Sequence, residues 1–514
     1  MPWRSLVSPA RTPGGAIFTV ALLVASWGHA SGPLPANGNS IRTSTYSIDL
    51  YQGAVSAGNR VMGLGGAYVA IAEDVDGDLQ NPAAPAVRPF FSIEEFDYWL
   101  GLGLTFPTGL AKIDFFNSGS ATGFRAAADE PVFVTPALNL QWGTFGLGLN
   151  AELSNYAFQS AAELAPVAPA EAAASLAVGL QTYHVQLAKS FLDGQLIGGV
   201  GLRYLTMSLD ASLTDGETQT LFHTSGSGIE MGVVFRPNLR PYRIGAAFRT
   251  AIDTQPGFSR SLFPNATGDI VIGNNGAELY LPERVSLPWD VNVGAAVQFG
   301  KRPLNPISRT VAGVAERAAL SFRLQELDRE EERQRRLAEA GSKSERAAVE
   351  LELAREERRD SERLQHALDA ARNALAQSFA EVGRSYLLLS ASLLVSGSVR
   401  DAVGVESFLD QVVNRSGASV VYSPRLGAEA EIWENRLKTR GGVYVEPTRF
   451  VTSNPRAHAT VGMDLRLFRW NVLGLWPDDF MWQIGGSLDV SRRYLTWGLS
   501  IAGWYPRHHR SEAP

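Results

Sequence analysis

Apart from one interruption, the chain from residue 92 onward alternates apolar and polar side chains over segments of about 11 to 16 residues, the two-residue beat of a strand with one greasy face. In VGMDLRLF, Val461, Met463, Leu465 and Leu467 share one face, and Gly462, Asp464 and Arg466 share the other. In RLGAEAEI, Leu426, Ala428, Ala430 and Ile432 oppose Arg425, Gly427, Glu429 and Glu431. Val291, Val293, Ala295, Val297 and Phe299 stand likewise against Asn292, Gly294 and Gln298, and Trp482, Ile484, Leu488 and Val490 against Gln483, Ser487 and Asp489. One such strand fits the half-buried sheet of a soluble protein, but many of this length fit strands that cross a bilayer at a tilt.

The pattern predicts fourteen strands, over 92–105, 131–142, 145–158, 179–191, 196–209, 226–237, 242–252, 285–299, 386–399, 419–434, 437–450, 458–472, 480–491 and 494–505. Tight connections at Gly143-Thr144, 192–195, 238–241 and Asn435-Arg436 alternate with long ones at 106–130, 159–178, 210–225, 253–284 and 400–418. Bacterial barrels alternate in this way, with short turns in the periplasm and long loops outside, which puts both chain ends on the periplasmic side. The connections 451–457 and Arg492-Arg493 break the alternation by being short. Trp99, Trp142, Trp433, Trp470, Trp476, Trp482, Trp497 and Trp504 fall near strand ends, where interfacial girdles form. In the last strand Leu495, Trp497, Leu499 and Ile501 face one way, before a tail at 506–514.

Between Asn305 and Gly383 the beat changes. Of the 57 residues from Glu316 to Arg372, 28 are charged, 15 acidic and 13 basic, and Gly341 is the only glycine from 314 to 382. This composition predicts a helical hairpin over 301–385, with Gly341 at its bend and Ser342 and Glu345 spaced as a capping box. Arms of roughly 35 residues reach about 50 Å. Leu364, Leu368, Ala371, Leu375 and Val382 space a coiled-coil seam along the second arm. Eight strands precede the hairpin, so parity places it in the periplasm. Mixed-sign runs such as EEERQRR are usually solvated faces, and a protein partner gripping 308–382 is the alternative use.

Residues 1–30 carry Arg4, Arg11, no acidic residue and the apolar stretch AIFTVALLVASWG, with Gly28 and Ala30 placed for cleavage, as in a secretory signal peptide. Removing them shifts the formal charge from −6 to −8, which disfavours nucleic acid as a partner. The absence of cysteine rules out disulfides and thiolate metal sites. Past the signal no apolar run approaches the 20 or so residues that a membrane helix needs. The fold class is therefore an all-β transmembrane barrel of about fourteen antiparallel strands, facing outer-membrane lipid, with barrel strands over 92–300 and 386–505.

The segment 58–84, GNRVMGLGGAYVAIAEDVDGDLQNPAA, resembles the N-terminal signature of the FadL-type superfamily of outer-membrane proteins, through Gly58, Arg60, Gly63, Gly65, Gly66, AYVA, Asp74 and Asn81-Pro82-Ala83. That superfamily comprises long-chain fatty-acid and hydrophobic-compound transporters and PorV-like secretion proteins. The resemblance implies a fourteen-stranded barrel whose N-terminal segment, here 31–91, forms a hatch in the lumen. Polar contacts to Glu152, Arg203, Glu230, Arg236, Arg425, Glu429, Glu431, Asp464, Arg466 and Asp489 would hold it shut. The charged hairpin departs from the fatty-acid transporters.

Other signals are set aside. Asp74, Asp76 and Asp78 suggest a calcium loop, but the sixth and twelfth positions are Leu79 and Pro85. GLGG lacks the third glycine of a dinucleotide fingerprint, and His508-His509 has no zinc spacing around it. His184 sits on a polar strand face with no partner that spacing identifies, so no enzyme, cofactor or metal is expected. The expected function is passive uptake of hydrophobic small molecules, with the apolar segment 161–177 as a candidate landing surface. The alternative is an adaptor or anchor barrel serving a secreted or periplasmic protein through its hairpin.

Overall fold

The computed structural model describes residues 34–88, 95–107, 113–120, 132–158, 173–213, 218–258, 270–272, 278–306, 330, 333–380, 383–469 and 481–504. The expected signal peptide, most of 161–177, residues 307–329 of the expected hairpin, Trp470, Trp476, Val382 and the tail lie outside them. Fourteen antiparallel strands form the wall. They are β1 Phe96–Pro107, β2 Phe133–Trp142, β3 Phe145–Phe158, β4 Ala173–Phe191, β5 Leu196–Leu213, β6 Thr218–Phe235, β7 Tyr242–Arg249, β8 Asp290–Gly300, β9 Tyr386–Ser396, β10 Val421–Trp433, β11 Leu437–Glu446, β12 Arg456–Arg469, β13 Met481–Ser491 and β14 Tyr494–Gly503. Each pairs with its sequence neighbour, and β1 pairs with β14 from Gly101–Ala502 to Pro107–Thr496, closing the ring. Closure removes the edges that an open sheet would leave unpaired.

The alternation read from the sequence sets which face looks out. Val461 and Met463 on β12 and Leu426 on β10 are more than half exposed, while Asp464, Arg425, Glu429 and Glu431 between them are buried. Exposed Val200, Leu202, Tyr204, Ile229, Met231 and Val233 continue the apolar outer face across β5 and β6. Such a belt is stable only against lipid. Among the described residues no helix is long and apolar enough to cross a membrane.

Three expectations are corrected. The segment 285–299 is two elements: Arg284–Leu287 belongs to a separate small sheet, and the wall strand starts after Pro288 at Asp290. Trp99 and Trp504 are buried, Trp504 donating to Asn435 Oδ1 at 3.1 Å, so neither joins a girdle; Trp142 and Trp433 are exposed. The start of the described chain lies at the long-loop rim. There Ser47–Asp49 runs parallel to Arg284–Leu287 and to Ala402–Gly404, and Ile252–Thr254 and Arg415–Ser416 complete five strands. A core of Ile41, Tyr46, Ile48, Val285, Val403 and Phe408 lies at this mouth, and the helix α4, Val405–Asp410, supplies Phe408. Strands this short carry no period of their own, so the sequence reads them as loops or as the ends of longer strands.

The segment between β8 and β9 leaves the rim that also carries the turns at 143–144, 192–195 and 434–436. Its described part is the helix α3, Lys343–Ala380, preceded by helical residues 333–339. The capping box forms as spaced: Glu345 N donates to Ser342 Oγ at 3.2 Å, and Ser342 N donates to Glu345 Oε2 at 3.0 Å. Arg336 pairs with Glu352 and Glu356 on α3. Leu375 is buried and Leu364 and Leu368 are half-buried.

Candidate functional site

The interior of the ring is occupied by residues 55–88, including two short helices, α1 Asn59–Gly63 and α2 Asp74–Asp78. Few of these residues form regular structure, because glycines and polar groups, not periodicity, shape the path. Gly65 and Gly66 adopt φ of +61° and +75°, the left-handed region that glycine takes without strain. A Cβ on Gly65 would meet Val443 N at 3.1 Å, and one on Gly63 would meet Gly462 Cα at 3.1 Å, so the chain here presses backbone to backbone on β11 and β12. Asp74, at φ +60°, bonds Arg60 Nη1 at 3.0 Å.

Asn81, fully buried, closes this path. Its Nδ2 donates to Val69 O at 2.8 Å and to Val233 O of β6 at 3.1 Å, and its Oδ1 accepts from Ala83 N at 3.0 Å. Pro82 and Ala83 then lie on the wall. The wall answers with small residues in register: Gly146, Ala188, Gly199, Gly232 and Ala247 face one another across β3 to β7. A Cβ on Gly146 or Gly199 would collide with the backbone of Pro85 or Pro82, and one on Gly232 with Asn81. The sequence shows these glycines, but not that they form one band.

Charges fix the rest. Arg60 bonds Glu429 through two nitrogens at 2.7 and 2.8 Å, and Glu429 also accepts from Arg440 Nε at 2.7 Å and Tyr386 OH at 2.6 Å. Arg440 continues to Asp464. Glu73 sits among Arg243 at 2.9 Å, Arg60 at 3.3 Å and Arg302 at 3.9 Å. Burial raises the Glu73 carboxyl, but Arg243, Arg60 and Arg302 outweigh it and bring it down to about 2.

Of the remaining expected lumen residues, Arg425 Nη1 reaches Gly66 O at 3.5 Å, and Arg236 Nη1 reaches Arg88 O at 3.3 Å. Asp489 accepts from Tyr444 OH, which itself accepts from Val55 N. Glu230 accepts from Gln186 and lies 3.2 Å from His184 Nδ1. Glu431 pairs with Arg384, Arg203 donates to Thr250 O, Glu152 lies 3.7 Å from His184, and Arg466 is half-buried on the inner face. Of these, Glu431, Arg203 and Glu152 meet wall or rim partners, not 55–88. Arg243, Arg249, Thr460 and Ser487, none of them in the expected set, bond the segment directly, at Ile71 O, Leu79 O, Gly63 O and Asn59 Oδ1. Strand parity, which turns all four inward, was the signal available for them.

A cavity of about 200 Å³ remains between residues 50–57 and the wall, lined by aliphatic side chains such as Leu180, Leu205 and Leu394 and by Glu152, Arg203 and Arg249. Beside it the β2–β3 ladder is interrupted without a change of register. The β2–β3 register passes from Val134–Leu153 to Ala137–Asn150, leaving Thr135 and Pro136 unpaired with Ala151 and Glu152. Pro136 has no N–H to give a ladder. Among the described residues no group of three or more His, Cys, Asp or Glu could hold a metal.

No family model matches the sequence, and no curated protein matches it. Three solved structures are similar over 89% of this chain and 100% of their own. They are a Pseudomonas aeruginosa FadL homologue (12% identity, TM-score 0.44), the P. putida toluene transporter TodX (10%, 0.42) and the CymD monoaromatic hydrocarbon channel (9%, 0.42). At these values the likeness is one of overall shape and carries nothing about function.

Proposed function

We propose that the protein is an outer-membrane barrel through which hydrophobic small molecules pass inward without energy input, with residues 55–88 as a hatch that must shift to admit them. The observation that carries this is the filling of the lumen. A lipid-facing ring has been packed with a separate stretch of its own chain, joined by polar contacts that can be exchanged, with a partly aliphatic cavity beside it.

A molecule entering at the long-loop rim reaches the cavity first. The unpaired stretch at Pro136 lies between Glu152, which lines that cavity, and Thr135, so it offers a way through the wall, and the lumen offers the other. In this orientation the hairpin faces the periplasm.

Flux of an uncharged hydrophobic probe into liposomes carrying the purified protein tests the proposal. Asn81→Ala, which removes the hatch's bond to Val233 of the wall and its internal bond to Val69, should change the flux several-fold; unchanged flux from a normally assembled barrel contradicts a gating hatch. Deleting residues 308–382 should leave flux intact. Loss of flux on that deletion would point instead to the hairpin.

A further inference from the structure

The segment between β8 and β9 does not leave the ring directly. Gly300 of β8 pairs with Tyr386 of β9, so a two-residue turn could join them, as Gly143-Thr144 joins Trp142 to its partner Phe145. Instead residues 302–306 turn inward. Leu304 and Asn305 are buried, and Leu304 belongs to one apolar cluster with Val61, Leu64, Tyr68 and Ile71 of the segment in the lumen. Asn305 seats this root on the turn between β6 and β7: its Nδ2 donates to Arg240 O at 2.9 Å and to Tyr242 O at 2.7 Å, and its O accepts from Leu239 N at 2.8 Å.

Root and lumen segment share their arginines. Arg243, fully buried on β7, divides one guanidinium between the two. Nε donates to Asn305 Oδ1 and Nη2 to Leu304 O, both at 2.7 Å, while Nη1 donates to Ile71 O at 2.8 Å and lies 2.9 Å from Glu73 Oε1. Arg302, in the root itself, lies over the Tyr386 ring at 4.4 Å and reaches Glu73 Oε2 at 3.9 Å. Arg236 makes a bridge of the same kind, donating to Pro306 O and to Arg88 O, each at 3.3 Å.

A guanidinium is planar, and its N–H groups point in fixed directions. Arg243 therefore cannot follow a moving root and still hold Ile71 and Glu73. If the root shifts, either Nε and Nη2 lose their buried acceptors, or Nη1 swings off the lumen segment.

We propose that residues 302–306 are a latch on the hatch and that the insertion carrying α3 is the lever that works it: displacing the root withdraws Arg243 and Arg302 from Ile71 and Glu73 and frees the end of the hatch opposite the mouth. The inference rests on the reading of 55–88 as a hatch. It agrees with flux that survives deletion of 308–382, because that deletion keeps the latch and removes only its handle.

The test leaves flux aside and uses the whole protein in detergent. Val69→Cys places a single thiol at a fully buried position of the hatch, and its rate of labelling by a maleimide reports local opening. Replacing 301–385 by Asn-Gly removes root and lever together, and Asn305→Ala loosens the root alone. Each should speed labelling about tenfold with the heat-modifiable ring intact, while deletion of 308–382 should leave labelling slow. If the turn replacement does not assemble, Asn305→Ala decides alone. Coupling is reciprocal, so releasing the hatch must in turn move the lever. Nitroxides at Asp193→Cys, on the 192–195 turn, and Gln365→Cys, on α3, should show a shifted distance distribution when Glu73→Gln is added; a root that merely filled space would not pass this on. Unchanged labelling at position 69 in the root variants, or a distribution that Glu73→Gln leaves untouched, overturns the proposal. Fast labelling at position 69 with the root intact would instead overturn the hatch reading beneath it.

Discussion

The wall and the segment inside it satisfy a buried backbone in different ways. In the wall every strand finds its hydrogen bonds in two neighbours, and the side chains only have to keep their beat, apolar out and polar in. Residues 55–88 have no such neighbours. Their carbonyls are met by Asn81, Arg243, Arg249 and Thr460, and their close approaches by Gly63, Gly65 and the small-residue band on β3 to β7. One region is specified by a repeated pattern that tolerates substitution within each face, the other by single residues with single partners. Damage to either should therefore be separable from damage to the other.

The largest separation is expected from Glu429→Ala. It leaves Arg60 and Arg440 buried without their shared carboxylate, a loss on the order of 3–5 kcal/mol. Proteolysis inside 55–88 should rise steeply while the heat-modifiable mobility of the ring persists; equal loss of both would mean that wall and segment fold as one unit. The converse variant is Val461→Lys, a charge on the lipid face of β12 that should cost about 2–4 kcal/mol of wall stability near the midplane. A neutral result there would put Val461 in water.

Gly199→Val sharpens the comparison from the contact itself. Its new side chain enters the space of Pro82, so the segment should be displaced at a cost of about 1–3 kcal/mol, read as new protease sites near Asn81 with the ring intact. The smallest effect is that of pH. With Glu73 lowered to about 2 in the folded protein, its contribution is complete above the ordinary carboxylate range and fades as pH falls through that range toward 2. Protease sensitivity of 55–88 should increase over that window, and Glu73→Gln should remove this component; a profile identical in the variant would assign the acid sensitivity to other groups.

The same contrast explains what could be read from the sequence. Twelve to fourteen alternating residues such as those of β12 fix a strand, its faces and nearly its ends. The cap of α3 at Ser342 and Glu345 was legible for a like reason, since both partners lie within one turn. The mouth sheet was not, because Ser47–Asp49 meets Arg284 and Ala402 from more than 200 residues away with only three residues to announce it. The N-terminal motif could be seen, and Glu429 among its candidate partners, but not which residue meets which: Arg60 to Glu429 and Asn59 to Ser487 depend on how far around the ring the segment travels.

The central claim is that residues 55–88 fill a closed, lipid-facing ring. The chain has no cysteine, so a pair can be introduced cleanly. Asn59 and Ser487, whose side chains bond at 2.6 Å, are replaced by Asn59→Cys and Ser487→Cys, and isolated membranes are treated with a short bifunctional thiol reagent. The account predicts nearly complete cross-linking within one chain, inaccessible to bulky thiol reagents from either side. No cross-link in a correctly assembled barrel, with the thiol at position 59 freely labelled from the water, would contradict it.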